Sequence, residues 1–266
     1  MRKNECSVLP RGKEVVQKYV AHSNTPHGRL RHDLLFMYYD KFIKDRDVDW
    51  IIDIGGGSGL LVERLLGKYP GLKAVIIDAD EEMINKAKEY LAPYLDTQRI
   101  EAVVGEVGDF PAVFKSLPLR EKSILTTFNH TIEYVENKKD SLYLIQATIP
   151  KGSFFGIMYL NNSHEAMRKL IFKDSPEGVL SQLDTHQLDM IYFGLAEAVG
   201  TEELENYFFD NGCTQLEEYG LRCISDFKPY EYVEKNYEQI LKMEFVLGKM
   251  SDFIGLARYR LKIFGL

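Results

Sequence analysis

Trp50-Ile51-Ile52-Asp53-Ile54-Gly55-Gly56-Gly57-Ser58-Gly59, running on into Leu60-Leu61-Val62-Glu63-Arg64-Leu65-Leu66, decides the fold. An apolar β-like run breaks into a glycine-rich turn and resumes with helical spacing, which is the strand, tight loop and helix that open a nucleotide-type α/β site. The glycines at 55, 56, 57 and 59 let main chain approach a ligand. The spacing narrows the choice. A dinucleotide fingerprint needs glycine three places after Gly57, where Leu60 stands. A phosphate-cradling P-loop needs Gly-Lys-Ser/Thr, which is missing, and Gly56-x-Ser58-x-Leu60 fails as a nucleophile elbow for want of a final glycine.

Outward from this turn, the next apolar run, Ala74-Val75-Ile76-Ile77, ends in Asp78 and Ala79. An acid at the carboxyl end of the neighbouring strand points at the ribose hydroxyls of a nucleoside held over the glycine turn. After it, Met83, Ile84, Ala87 and Leu91 fall on one helical face, with Glu81 and Glu82 placed first to suit the helix dipole.

Bulk properties exclude several classes. With 45% hydrophobic and 27% charged residues, 266 residues make one soluble globular core, read as a single domain over 1–266. Cys6, Cys213 and Cys223 form no CxxC pair, so reduced thiols in a cytoplasmic setting are expected. No apolar run reaches membrane-span length, and Met1-Arg2-Lys3-Asn4-Glu5 is not followed by a signal-type core. A net charge of -7 argues against non-specific capture of nucleic acid. Arg11, Arg29 and Arg31 near the start offer a local basic patch. Arg258, Arg260 and Lys262 alternate with Ala257, Tyr259, Leu261 and Ile263, the pattern of a strand with one wet face.

The segment from Trp50 to about Leu91 resembles motif I and the ribose-binding strand of class I S-adenosylmethionine-dependent methyltransferases. The resemblance implies a doubly wound, Rossmann-like α/β sheet, mostly parallel with an antiparallel last strand, and S-adenosylmethionine as cofactor. It implies that Asp53, Gly55, Gly56, Gly57 and Gly59 border the methionine part and that Asp78, with Ala79, holds the ribose. Ile100 to Gly105 reads as the third strand, and Glu106-Val107-Gly108-Asp109 falls where the family frames adenine. Ser123 to His130 resembles the fourth strand and its ligand-side loop, with Asn129 bordering the cofactor. His130 reads as a hydrogen-bonding or packing residue before a catalytic base. His22, His27 and His32 read as ordinary polar residues, and no metal site is expected.

A helical preface is expected over 1–45, with Leu30, Leu34, Met37, Tyr38 and Phe42 at near-helical spacing after Thr25-Pro26-His27-Gly28. Ser153 to Tyr159 reads as the fifth strand. Residues 161–200 carry no strong strand signal and are expected to fold as a helical insertion over the site. A helix from Thr201 stops at Asn211-Gly212; a strand over Gln215–Ile224 is broken at Gly220; one long helix spans Tyr230–Met250; and a final strand, Gly255–Phe264, pairs antiparallel near the sheet edge.

Gly28-Arg29-Leu30-Arg31, Met158-Tyr159-Leu160-Asn161-Asn162 and Gly220-Leu221-Arg222 resemble a narrower branch, the bacterial methyltransferases of the carboxymethoxy group of wobble uridine in transfer RNA. This resemblance implies that Arg31 contacts the cofactor and makes tRNA a possible partner. The chain departs from that branch where Lys173-Asp174-Ser175-Pro176-Glu177-Gly178 replaces a lysine-rich run, which weakens phosphate contacts. Around the acceptor, Tyr159 and Asn161 are candidates to line the pocket and Arg222 to clamp a carboxylate through paired charged bonds. Phe128-Asn129-His130-Thr131 is not the Asn/Asp-Pro-Pro-aromatic loop of planar-amine methylation and holds no catalytic cysteine, which favours an oxygen acceptor on a small molecule or modified nucleoside. The alternatives are a non-catalytic sensor that binds the same cofactor and a nicotinamide oxidoreductase, the latter disfavoured by Leu60.

Overall fold

The computed structural model describes residues 10–119, 123–173, 175–190 and 194–266; Met1 to Glu5, Cys6 and Asp174 lie outside them. The five leading strands are β1 (Trp50–Ile54), β2 (Lys73–Asp78), β3 (Ile100–Val104), β4 (Ile124–Asn129) and β5 (Phe154–Leu160). They pair in parallel, in register from Trp50 opposite both Lys73 and Ile124. Strands buried on both faces read as unbroken apolar runs, and all five residues of β1 are buried.

Helices cover both faces: α1 (Lys13–Ser23), α2 (Pro26–Lys44), α3 (Leu60–Lys68), α4 (Glu81–Leu95), α5 (Phe110–Ser116) and α6 (Lys138–Thr148). The start of α2 follows from its cap. The Thr25 hydroxyl accepts from the Gly28 N–H at 3.1 Å, and Pro26 occupies the first turn, where a missing donor costs nothing. Leu30, Leu34, Tyr38 and Phe42 of α2 are fully buried, joining the larger of two cores that flank the sheet. Tyr39 lies directly over Gly156 of β5, where any Cβ would collide with its ring, and from there donates to Asn129 Oδ1 at 2.9 Å. One strand glycine therefore sets a side chain of the cleft.

Residues 161–200 correct the expectation of helices alone. After α7 (Asn162–Lys173) and α8 (Pro176–Thr185) comes an antiparallel pair, β6 (Gln187–Met190) with β7 (Gly194–Glu197). Four-residue strands are too short for alternation to declare itself against a polar background. Then follow α9 (Thr201–Asp210) and β8 (Thr214–Leu221), the latter running through Gly220 with an irregularity at Leu216. The expected break at Gly220 is absent because its N–H finds Gly248 O at 2.7 Å, outside the sheet. The long helix expected over 230–250 is divided into α10 (Tyr230–Lys235) and α11 (Tyr237–Leu247), interrupted at Asn236, whose side chain bonds back to Tyr232 O at 2.8 Å; the short α12 (Ser251–Ile254) follows.

The last strand, β9 (Tyr259–Gly265), gives the sheet order β3-β2-β1-β4-β5-β9-β8. It is antiparallel as expected, yet it lies between β5 and β8, and β8 forms the edge. The expected wet face is therefore wrong. Lys262 is fully buried, its Nζ held 2.7 Å from Glu205 and 2.8 Å from Glu218, while Arg260 pairs with Glu218 and donates to Thr201 at 2.9 Å. Alternating charge here marks buried ion pairs.

Candidate functional site

In this strand order the chain leaves β1 to one side for β2 and β3, then crosses to the other for β4, so the crevice at the strand ends opens where the order reverses. A cleft of about 590 Å³ occupies that place. Its floor is the glycine turn. Gly55 and Gly57 take φ of 70° and 54°, in the left-handed region that side chains avoid. A Cβ on Gly56 would come 2.7 Å from Ile76 and 2.9 Å from Asp53 Oδ2, so only bare backbone fits. Gly59 caps α3 and touches Ile76 and Leu91 instead of lining the cleft.

Asp78 and Ala79 line the cleft at the end of β2. The Asp78 carboxylate accepts from Gly57 N–H at 2.8 Å and Asp80 N–H at 2.9 Å, so the acid also fixes the glycine turn. Burial pushes its pKa up, opposed by these two bonds. Asp53 sits behind the turn, buried, and accepts from the Thr127 hydroxyl at 2.7 Å; burial lifts it to about 7. Glu106 and Val107 form the opposite wall. Asp109 turns away and caps its own 3-10 turn (Val107–Asp109), accepting from Glu106 N–H at 2.9 Å. Two residues before α1 strap the mouth: Arg11 pairs with Glu106 at 3.1 Å and Gly12 N–H reaches Asp80 at 2.9 Å.

Past Asn129, at the end of β4, the wall is His130, Thr131 and Tyr134. His130 holds φ of 52°, uncommon for a residue with a side chain, and its N–H is tied to Met158 O at 2.6 Å. Its ring meets Tyr134 and Tyr259 edge to face, and its Nε2 is buried with no hydrogen-bond partner. Burial, then Arg31 and Arg258, hold the imidazole well below its usual pKa, so it is neutral near pH 7. Arg31 and His32 of α2 and Tyr19 of α1 close this end. Tyr19, Thr131 and Tyr134 carry no spacing signal as isolated polar residues in helices and loops, and His32, expected to be an ordinary polar residue, lines the cleft.

The acceptor-side candidates stand elsewhere. Tyr159 turns to the opposite core, 3.3 Å from the Thr201 hydroxyl; Asn161 donates to Gly255 O and Ala257 O at 2.9 Å each; Arg222, buried, grips Asp226. None of the three lines the cleft, nor does any residue of the 161–200 insertion among the described residues. His27, expected to be an ordinary polar residue, is buried with Nε2 3.0 Å from Ser225 O. Among the described residues no group of three His, Cys, Asp or Glu could hold a metal, and no helix is long and apolar enough to cross a membrane.

Glu133, in the turn after His130, is buried; one oxygen accepts from Leu160 N–H at 2.5 Å and the other has no partner. Burial raises it from 4.5 to about 7. The folded state thus keeps a proton that the unfolded state has lost, and stability is expected to fall as pH rises from about 4.5 to about 7, by roughly 3 kcal/mol. Glu133→Gln should lack this component. Urea unfolding of both proteins at pH 5 and pH 7.5 checks it, and parallel pH dependences would refute it.

Comparison with known proteins agrees with this geometry. Residues 14–138 match the O-methyltransferase domain model. Trans-aconitate 2-methyltransferase of Mycolicibacterium gilvum (strain PYR-GCK) is 26% identical over 191 residues, covering 70% of this chain, which spans only 64% of that protein's length. Among solved structures, the plantazolicin methyltransferase BpumL in complex with SAH superposes with a TM-score of 0.53 at 18% identity, over 95% of this chain and 89% of that one. BamL, with a triazolic desmethylPZN analog and SAH, gives 0.56 at 12% identity, over 95% and 90%. The fold is therefore that of Rossmann-like methyltransferases, and residues 14–138, which supply most of the cleft lining, match an O-methyltransferase domain.

Proposed function

We propose that this protein is an S-adenosylmethionine-dependent methyltransferase that moves a methyl group to an oxygen of a small molecule. One observation carries the reading: a side-chain-free turn, the Asp78 carboxylate and a neutral histidine whose buried Nε2 has no hydrogen-bond partner line a single cleft at the point where the strand order reverses. Gly55 to Gly57 leave room for the methionine end, Asp78 for the ribose hydroxyls, and Glu106 with Val107 for the base. When bound, the cofactor supplies an already activated sulfonium methyl. The chain's own tasks are alignment and exclusion of water. His130, as the Nδ1–H tautomer, takes the proton of a hydroxyl acceptor at Nε2.

The wobble-uridine acceptor gains no support from the relatives, which are named for trans-aconitate and for plantazolicin. The acids of the insertion offer phosphates no platform.

Calorimetry with sinefungin tests the cofactor half of the reading. The wild-type protein is expected to bind it, and Asp78→Ala to weaken binding at least about tenfold, roughly 1.4 kcal/mol, because one carboxylate makes two charge-assisted bonds. Flat heats at millimolar ligand would end the proposal, and a folded variant of unchanged affinity would remove Asp78 from the site.

A further inference from the structure

Arg31 is only 5% exposed, yet it lines the cleft, and among the described residues no carboxylate forms an ion pair with it. Its neighbours are His32 Nε2 at 2.9 Å, the Tyr259 side chain, which hydrogen-bonds to it, and the rings of Tyr19 and Tyr259 at 5.8 and 5.9 Å. A guanidinium cannot shed its proton, so burying one without an anion is costly. The surroundings sharpen the deficit. Arg222 and Arg258 also stand 5.8 and 5.7 Å from the Tyr259 ring, and these two share Asp226. Arg258 reaches Glu165 as well, at 3.4 Å, but that acid already serves Arg168 at 3.1 Å. Of the three guanidiniums around Tyr259, the one left without an acid is the one facing the cleft. The positive field reaches beyond them: after burial, Arg31, Arg222 and Arg258, followed by His27, lower His22 to about 4.

Location assigns this cation to the acceptor. Tyr259 lies opposite Leu160, on a strand two places past β4, about 10 Å along the sheet at ~4.8 Å per strand. That is the side of β4 away from Asp78. Arg31 and His130 both stand within 6 Å of the Tyr259 ring, so one small molecule can meet both.

We propose that Arg31 seats a carboxylate of the methyl acceptor, so that the preferred substrate is a small hydroxylated carboxylic acid whose hydroxyl faces His130. The inference rests on the methyltransferase reading above and adds the substrate class. In the transfer, the acceptor O–H proton passes to His130 Nε2, the oxygen–methyl bond forms as the sulfonium–methyl bond breaks, and S-adenosylhomocysteine leaves as a neutral thioether. The carboxylate on Arg31 is unchanged throughout; its place is to orient the hydroxyl.

The other source of a carboxylate is the cofactor's own methionine end, and the test separates the two. Wild type, Arg31→Gln and Arg31→Lys are titrated with S-adenosylhomocysteine by calorimetry. Each loaded protein is then titrated with hydroxybenzoates against the matching hydroxybenzamides, and 2-hydroxy acids against their amides, with initial methylation rates measured in parallel. Wild type should favour acids over amides by at least about tenfold. Arg31→Gln should abolish that preference by raising KM or Kd for the acids while S-adenosylhomocysteine affinity stays within about twofold, and Arg31→Lys should keep part of it. Equal treatment of acid and amide, or binding of neither, overturns the proposal. So does a tenfold loss of S-adenosylhomocysteine affinity in Arg31→Gln, which would give the carboxylate to the cofactor. Failure of wild type to bind S-adenosylhomocysteine removes the methyltransferase reading and this one with it, whereas binding with indifference to acceptor charge removes this one alone.

Discussion

Replacing His130 by asparagine is expected to lower kcat for a hydroxyl acceptor by about a hundredfold or more, with S-adenosylhomocysteine affinity changed by less than about twofold. A positioned general base contributes roughly 10²- to 10⁴-fold, and the side chain lost here belongs to a cleft-lining residue whose Nε2 is buried without a partner. Asparagine is chosen because it tolerates the left-handed backbone at this position better than most residues, which keeps the loop intact. Because burial and nearby guanidiniums hold the imidazole well below its usual pKa, the rate should not drop between pH 8 and pH 6.5 on account of His130. Steady-state rates over that range check both points. A variant with more than a tenth of wild-type kcat would show that His130 only packs against Tyr259 and Tyr134.

Glu244→Ala should cost about 3–5 kcal/mol of stability, the largest structural effect expected from one substitution. This fully buried carboxylate of α11 accepts from three successive backbone N–H groups, Cys223 at 2.6 Å, Ile224 at 3.0 Å and Ser225 at 2.6 Å. Alanine leaves all three donors unpaired, two of them buried and that of Ile224 partly so. The loop they belong to carries Arg222, itself in the left-handed region at φ 59°, and its partner Asp226. Urea unfolding measures the effect. A loss under about 1 kcal/mol would mean that the loop is held by other contacts.

Much of the cleft around the glycine turn was legible in the chain because its signals are local. The glycine turn, the acid at the end of the next strand and the parallel strands all declare themselves within windows of about ten residues, and the structure brings them to one crevice. The side of the cleft beyond β4 was not. Tyr159, Asn161 and Arg222 stand in the segments that resemble the narrower branch, but a strand points successive residues to opposite faces, and Tyr159 faces the other core. Arg222 and Asn161 were absorbed by partners far off in sequence, which no spacing discloses. Lys262 misled for a related reason. Its alternation was real, but whether the alternating face meets water depends on β8 and α9 lying over it. Glu244 did leave a trace, an acid four places after Ile240 on the buried stripe of its helix, and a carboxylate on an apolar stripe asks for donors from elsewhere.

The place of β9 has a consequence for how the molecule is assembled. Ribosomes deliver β8 before β9, yet β8 has no neighbour in the sheet except β9, and β9 must wedge between it and β5. The join needs closure of the 37 residues at 222–258, an entropic toll met before any ladder bond repays it. Until then the flank of β5 stays an open seam, ready to pair with a stray strand. Chains of this protein should be most prone to clump while that seam is unsealed, and refolding should finish with a slow step in which β8 and β9 arrive together.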